Sequence, residues 1–244
     1  MARGLRRLIR LLSTLALVAG LGTLAWAVLT WQWEDPFTSV YTQLEQRELA
    51  DRYEGRVAEF ARARPARSAR PSGTAIRRQA RRYRRNSHQG AAVGRITIPR
   101  IGLKMILLNG TDEDTLKRGP GRYLGSFMPG EGELIYVAGH RTTYSAPFSD
   151  IDALRPGDRV TLEVPYGTFE YRVARSVIVG PSQNDVLRSQ GREVLALQSC
   201  HPRFFATHRY ITYAKPVHVR PPGASTSIPA RELERSALAS PGIS

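Results

Sequence analysis

From Ala91 onward the sequence breaks into short apolar runs, each stopped by glycine or proline. Runs at 93–98, 104–108, 134–138, 159–164, 168–179, 194–198 and 210–214 are rich in Val, Ile, Leu, Tyr and Phe. A last short run falls at 217–219, and Pro99, Gly102, Pro129-Gly130, Pro156-Gly157, Gly167 and Gly180-Pro181 punctuate the series. Segments of this length, with β-branched and aromatic residues between turn formers, read as strands rather than helices. Only 112–117 and 148–154 read as short helical turns. About eight strands over roughly 130 residues predict an all-β domain, closed or nearly closed into a barrel.

The N-terminal part is of another kind. Residues 11–33 carry no charge and are mostly apolar, long enough for a helix to cross a bilayer's hydrocarbon core. Four arginines precede this stretch, and Glu34 and Asp35 follow it. The positive-inside bias therefore places residues 1–10 in the cytoplasm and the remainder outside. Trp26, Trp31 and Trp33 gather at the outer end, where indoles favour the interface. A cleaved signal peptide is the rival reading, but the run is long for one and no small-x-small cleavage site follows. The expectation is a single-pass plasma-membrane anchor over 11–33.

Residues 34–90 follow as a juxtamembrane helix and a stalk. Val40, Leu44, Leu49, Tyr53, Val57 and Phe60 recur near a helical period, whereas 64–89 is written mainly in Arg, Ala, Pro and Ser. So few large apolar side chains do not offset chain entropy, which predicts a mobile basic stalk, with a short helix as the alternative at its densest charge, Arg77-Arg78 and Arg81-Arg82-Tyr83-Arg84-Arg85. Residues 1–90 hold 17 basic against 7 acidic residues, and 91–244 hold 19 against 14, so the net charge of +15 is concentrated in the anchor and stalk. Outside a cell, such a stretch meets anionic lipid or wall polymer, or serves as a solvated spacer; no nucleic-acid partner is expected. The β-barrel domain is expected over 91–220, and the polar, proline-rich 221–244 reads as a disordered tail without a second span.

Against this background one cysteine stands out. Cys200 ends the run at 194–199, nine positions before Arg209, and His140 ends the run at 134–139. An exported lone thiol is a liability unless it serves a purpose, although a buried cysteine also behaves as a small inert hydrophobe. A thiolate attacks carbonyl carbon, a histidine carries protons near neutral pH, and a permanently charged guanidinium stabilises an oxyanion. If the strands ending at Cys200 and beginning at Arg209 are antiparallel neighbours, the loop between them returns Arg209 beside Cys200. His201 is nearer in sequence, but adjacent side chains along a strand face opposite ways, so His140 is the stronger candidate. His208 and His218 read as surface residues. The acidic trio Asp112-Glu113-Asp114 reads as a turn or helix cap, and the chemistry requires no metal or other cofactor.

These motifs resemble the sortase family of cell-surface transpeptidases. The text Ala196-Leu197-Gln198-Ser199-Cys200, followed by His201-Pro202-Arg203-Phe204-Phe205-Ala206-Thr207-His208-Arg209, is similar to that family's Thr-Leu-x-Thr-Cys signature, loop and Arg strand. Gly139-His140-Arg141-Thr142-Thr143-Tyr144 resembles its histidine motif, and Leu154-Arg155-Pro156-Gly157-Asp158 its turn into the next strand. The opening strand, Val93-Gly94-Arg95-Ile96-Thr97-Ile98-Pro99, matches as well, so the likeness covers 91–219. The two motifs are most like class E sortases of Gram-positive actinobacteria. The family's closed sortase-type β-barrel is implied, with His140, Cys200 and Arg209 as its catalytic residues. Gly139, Thr142, Thr143, Tyr144, Ala196, Leu197, Ser199 and His201 are the substrate-binding residues expected. Ala196 and Ser199 depart from the motif's two threonines, and substrate positioning is where those departures would act.

The implied reaction is cleavage of the Thr–Gly bond in a C-terminal sorting signal of the Leu-Ala-x-Thr-Gly or Leu-Pro-x-Thr-Gly type. A Cys thioester follows, and the surface protein passes to a peptidoglycan-precursor amine (lipid II), or to water when no amine is present. An L,D-transpeptidase is the nearest enzymatic rival, but that family places His-Gly just before the cysteine and Arg two residues after it. Here Gln198-Ser199 and Pro202 occupy those positions. Papain-like wall peptidases place cysteine before histidine, the reverse of this order. A non-catalytic, membrane-anchored wall-binding barrel is the remaining alternative.

Overall fold

The computed structural model describes residues 2–32, 36–62, 72–224 and 226–232. Three helices, α1 (Ala2–Gln32), α2 (Pro36–Arg62) and α3 (Gly73–Arg85), precede the strands. The strands are β1 (Ala92–Ile98), β2 (Leu103–Asn109), β3 (Gly121–Arg122), β4 (Leu134–Ala138), β5 (Arg159–Val164), β6 (Gly167–Val179), β7 (Val194–His201), β8 (His208–Arg220) and β9 (Ile228–Pro229). A short helix, α4 (Glu113–Arg118), lies between β2 and β3, and 3-10 turns fall at Pro99–Ile101, Ile151–Ala153 and Asn184–Leu187.

The strands hydrogen-bond in the order β6-β5-β1-β2-β3-β4-β7-β8, and a β6–β8 pairing closes the ring. Eight strands therefore form the expected closed barrel, with β9 added beyond β8. Its interior is filled by alternate residues of successive strands, among them Ile96, Ile98, Leu107, Ile135, Val137, Leu162, Phe169, Tyr171, Leu195 and Leu197. That alternation follows from the two-residue period of a strand with one face turned inward. The acidic trio is a helix start: Asp112 caps α4 by accepting hydrogen bonds from the Thr115 backbone N–H (3.0 Å) and its hydroxyl (2.7 Å).

Within α1, Gly4–Val28 is long and apolar enough to cross a membrane, and its side chains are exposed throughout. The far end of the expected anchor, Trp33, lies outside the described residues, as do 63–71 of the expected stalk and 233–244 of the expected tail. The predicted juxtamembrane helix is α2. It is docked on the barrel, with Leu49 and Tyr53 packed against Ala92, Ile106 and Leu108. Gln46 completes the attachment: its amide donates to the Arg118 carbonyl (2.8 Å), and its side-chain oxygen accepts from the Ile106 N–H (2.6 Å).

Two expectations are corrected. The arginine-rich segment is not a mobile stalk over its second half: the alternative of a short helix there is the one realised, as α3 over 73–85. Its Ile76 and Ala80 enter the main core, and Tyr83 packs against that core while donating to the Val93 carbonyl. One apolar residue per turn suffices here because the barrel supplies the rest of the buried surface. The expected disordered tail instead carries a strand within its described residues, with Ile228 buried where β9 pairs with the end of β8.

Candidate active site

The three chemical residues meet at one end of the barrel, and strand register brings them there. Strand β7 pairs antiparallel with β8, and Cys200 stands directly opposite Arg209. Cross-strand partners share a face with Cβ atoms about 4.5–5.5 Å apart. On its other side β7 runs parallel to β4, with Ala138 opposite Gln198 and the Gly139 N–H donating to the Gln198 carbonyl at 3.1 Å. Two residues further along each chain are His140 and Cys200, so the register carries both onto the same face.

That face is the outer one, opposite the barrel interior. It carries Leu134 and Tyr136 of β4, Ala196 of β7 and Ile211 of β8, all buried, with Tyr213, Val177 and Val179 packed at their margin. Tyr136 donates its hydroxyl to the Gln198 side-chain oxygen at 3.0 Å. An apolar floor thus leads along β4, β7 and β8 to a half-buried, unpaired thiol.

Each group is tuned by its surroundings. The His140 pKa lies below its ordinary value of 6.5, chiefly because burial penalises the imidazolium; nearby Lys117 adds to the effect and Glu113 opposes it. Its Nε2 is buried without a hydrogen-bond partner among the described residues. The Tyr144 ring lies against the imidazole, with centroids 5.2 Å apart, and Tyr41 of α2 packs edge-on to Tyr144 at 6.5 Å. Arg209 donates to the carbonyls of Ala206 (2.8 Å) and His208 (3.0 Å), which fixes its guanidinium at the mouth of the β7–β8 loop.

The remaining expected site residues divide. Ala196 lies on the Cys200 face. Tyr144 covers His140, while Thr142 and Thr143 are half-buried in the same loop. Leu197 and Ser199 are corrected: both fall on the interior side of β7, Leu197 in the main core and Ser199 donating its hydroxyl to the Gly139 carbonyl at 2.9 Å. Ser199 is therefore a staple between the cysteine and histidine strands rather than a substrate contact. Gly139 is a packing position, since a Cβ there would lie 2.7 Å from the Phe148 ring. His201 is half-buried, and its Nδ1 is engaged by Arg141 at 2.9 Å.

Arg141 is the residue the sequence did not single out. It is buried, and it donates to the Cys200 carbonyl (3.2 Å), to the His201 ring and to the Asp152 carboxylate (2.5 Å). It thereby ties the loop after His140 to the strand end that carries the thiol. Its position beside the histidine in the motif was the available signal. Among the described residues no group of three or more His, Cys, Asp or Glu is arranged to hold a metal ion.

Comparison with known proteins agrees with this geometry. Residues 96–217, half of the chain, match the sortase domain model. The chain is 35% identical over 132 residues to sortase D of Bacillus subtilis, a match covering 52% of this chain and 65% of that protein. It thus spans under two thirds of the length of the curated relatives it matches. The solved sortase E from Streptomyces avermitilis is 30% identical with a TM-score of 0.51, covering 57% of this chain and 96% of that one. Sortase E1 from Streptomyces coelicolor, solved with a tripeptide in its active site, is 26% identical with a TM-score of 0.53, covering 56% and 94%. Matched along the strands that carry His140, Cys200 and most of the closing seam, the chain belongs to the sortase family.

Proposed function

We infer that this chain is a membrane-anchored cysteine transpeptidase that cleaves a C-terminal sorting signal and passes the surface protein to a wall-precursor amine. The observation that carries this reading is the register placing Cys200 opposite Arg209 and in line with His140. The peptide in the Streptomyces coelicolor sortase E1 structure supports a peptide substrate here, and the apolar floor of Tyr136, Ala196 and Ile211 suits an extended apolar segment. The apolar helix α1 supports anchoring in the plasma membrane, with the catalytic domain outside.

In this mechanism the neutral imidazole favoured by burial takes the thiol proton. The Cys200 sulfur then attacks the carbonyl of the Thr–Gly bond. Negative charge develops on the carbonyl oxygen, toward which Arg209 presents fixed N–H donors. His140, now protonated, returns that proton to the departing glycine nitrogen, leaving a thioester. An incoming amine loses a proton to His140 as it attacks, and the thiol is regenerated when the proton returns to sulfur. Water follows the same route when no amine is present.

The motifs Gly139-His140-Arg141-Thr142-Thr143-Tyr144 and Cys200-His201-Pro202-Arg203-Phe204 favour class E within the family, with Leu-Ala-x-Thr-Gly preferred over Leu-Pro-x-Thr-Gly. The test is hydrolysis of paired fluorogenic peptides that differ only at that second residue. Cleavage by the wild type, none by Cys200→Ala, and a thioester mass on Cys200 are expected. Absence of both turnover and adduct with every signal peptide would refute the activity. Equal or reversed preference would refute the class E reading alone.

A further inference from the structure

The outward face of α2 changes character along its length. Its inward residues, Thr42, Leu49 and Tyr53, are buried against the barrel. On the opposite face Val40 and Leu44 are exposed, at 58% and 59%, and then the face turns charged at Arg47, Glu48, Asp51 and Arg52. Exposed large apolar residues, Val40, Tyr41 and Leu44, are thus confined to the start of α2, with a charged boundary about one turn beyond Leu44. Three residues separate Gln32, the end of α1, from Pro36, a covalent reach of no more than about 14 Å. The apolar turns are those closest to the apolar helix.

A second exposed apolar pair lies in the β7–β8 loop. Phe204 and Phe205 are 56% and 77% exposed, and Phe204 holds a left-handed backbone (φ 71°), uncommon for so bulky a residue. Hydrogen bonds connect this loop to α2 around the catalytic end. Arg203 donates to the Ser149 carbonyl (2.5 Å) and the Asp150 carboxylate (2.7 Å). In the loop just before, the Tyr144 N–H donates to the Thr38 hydroxyl (2.9 Å) and the Ser145 hydroxyl to the Ser39 carbonyl (3.1 Å). Both apolar groups therefore belong to the end of the barrel that carries His140 and Cys200.

We propose that this end rests on the bilayer, with Val40, Leu44, Phe204 and Phe205 inserted at the boundary between headgroups and acyl chains. The inference rests on the reading of α1 as a membrane span. An amphipathic helix buries its apolar face about 5–10 Å into that boundary, which corresponds to the two apolar turns of α2 before charge begins. Aromatic side chains favour the same depth. The rest of the outward face of α2, being charged, stays in water. So seated, the thioester forms at the membrane surface, where an amine carried on a lipid reaches it without leaving the bilayer.

The test uses the full chain in vesicles of phosphatidylcholine and phosphatidylglycerol. An environment-sensitive dye is placed on a single cysteine in a Cys200→Ser background, at Leu44→Cys, Phe205→Cys, Leu21→Cys within α1, or Arg82→Cys on the outer face of α3. Dyes at 44 and 205 should shift to shorter wavelength and lose most of their emission when the lipid chains are brominated, as the dye at 21 does and the dye at 82 does not. Quenching at 21 with water-like emission at 44 and 205 would overturn the docking and leave the anchor standing. No quenching at 21 would remove the anchor and the docking together. Energy transfer between labelled copies without bromine quenching would assign the surface to a second copy of the chain. As a measurement free of dyes, the double variant Phe204→Ser/Phe205→Ser should keep its rate on a water-soluble peptide. It should lose transfer to a vesicle-borne amine lipid several-fold, and an equal loss in both assays would overturn the proposal.

Discussion

Replacing Arg141 with methionine tests the link between the two catalytic strands. The substitution keeps most of the side chain's bulk but removes every donor. The Cys200 carbonyl and the His201 ring nitrogen, both at the buried guanidinium, would lose their charged partner. A buried acceptor left unsatisfied costs about 1–3 kcal/mol. Asp152 is 48% exposed, so solvent screening reduces the value of its ion pair to less than about 1 kcal/mol. Cys200 and His201 are only half-buried, so the low end of that range applies to each acceptor. The sum is about 2–3 kcal/mol, which for a domain of this size lowers the melting temperature by about 4–12 °C. Thermal unfolding of the full chain in detergent, followed by circular dichroism, measures it. Asp152→Asn, which removes only the screened contact, should cost less than about 1 kcal/mol by the same reasoning. Peptide cleavage measured well below the transition should also fall in Arg141→Met, because the His140 loop is no longer tied to the thiol strand. A melting temperature within about 2 °C of wild type, or an equal loss in Asp152→Asn, would refute the argument.

Other expectations concern the chemistry and the corrected stalk. The acid limb of kcat/KM should lie below pH 6.5, because burial depresses the His140 pKa and the neutral ring is the proton acceptor; Tyr144→Ala, which admits water to that ring, should move the limb up toward 6.5, and an unmoved limb would remove Tyr144 from this role. The same depression means that the unfolded chain binds the extra proton more readily, so His140's contribution to stability is complete above about 6.5 and is lost as pH falls toward the folded value, as a pH series of denaturation midpoints would record. Arg209→Lys should reduce kcat about 100-fold without lowering the melting temperature, since lysine cannot present a planar fork to the oxyanion; near-normal turnover would remove Arg209 from that position. Ile76→Ala should cost about 2–4 kcal/mol in denaturant unfolding because the side chain is buried in the main core, whereas a mobile stalk would register no change.

Long strands with regular alternation were legible in the sequence, and with them the strand ends at His140 and Cys200. What escaped notice was either too short or satisfied at long range. Strand β3 is two residues, and its Arg122 is a buried cation held by the Asn109 side chain and by the carbonyls of Tyr123 and Ser126. No local pattern announces the Asn109 contact, because it is assembled by a parallel pairing of β2 with β3. Helix α3 was hidden by its arginines: Ile76, Ala80 and Tyr83 recur at helical spacing but are outnumbered by charge. Leu197 and Ser199 were misassigned for a different reason. The two-residue period that argued for His140 over His201 also turns 197 and 199 away from Cys200, and following it through would have selected Gln198 and Tyr136 instead.

Strand β8 joins matters that many enzymes keep apart. It bonds to β6 along one side and to β7 and β9 along the other, and it presents Arg209 near its first residue. The seam that shuts the cylinder and the guanidinium proposed to steady the reacting oxygen are thus one continuous piece of chain. Loosening the seam would carry the guanidinium away from the sulfur before the remaining strands separate. Loss of turnover on heating should therefore coincide with, or slightly precede, loss of sheet signal, and a long-lived species with intact chemistry and an open cylinder should not exist.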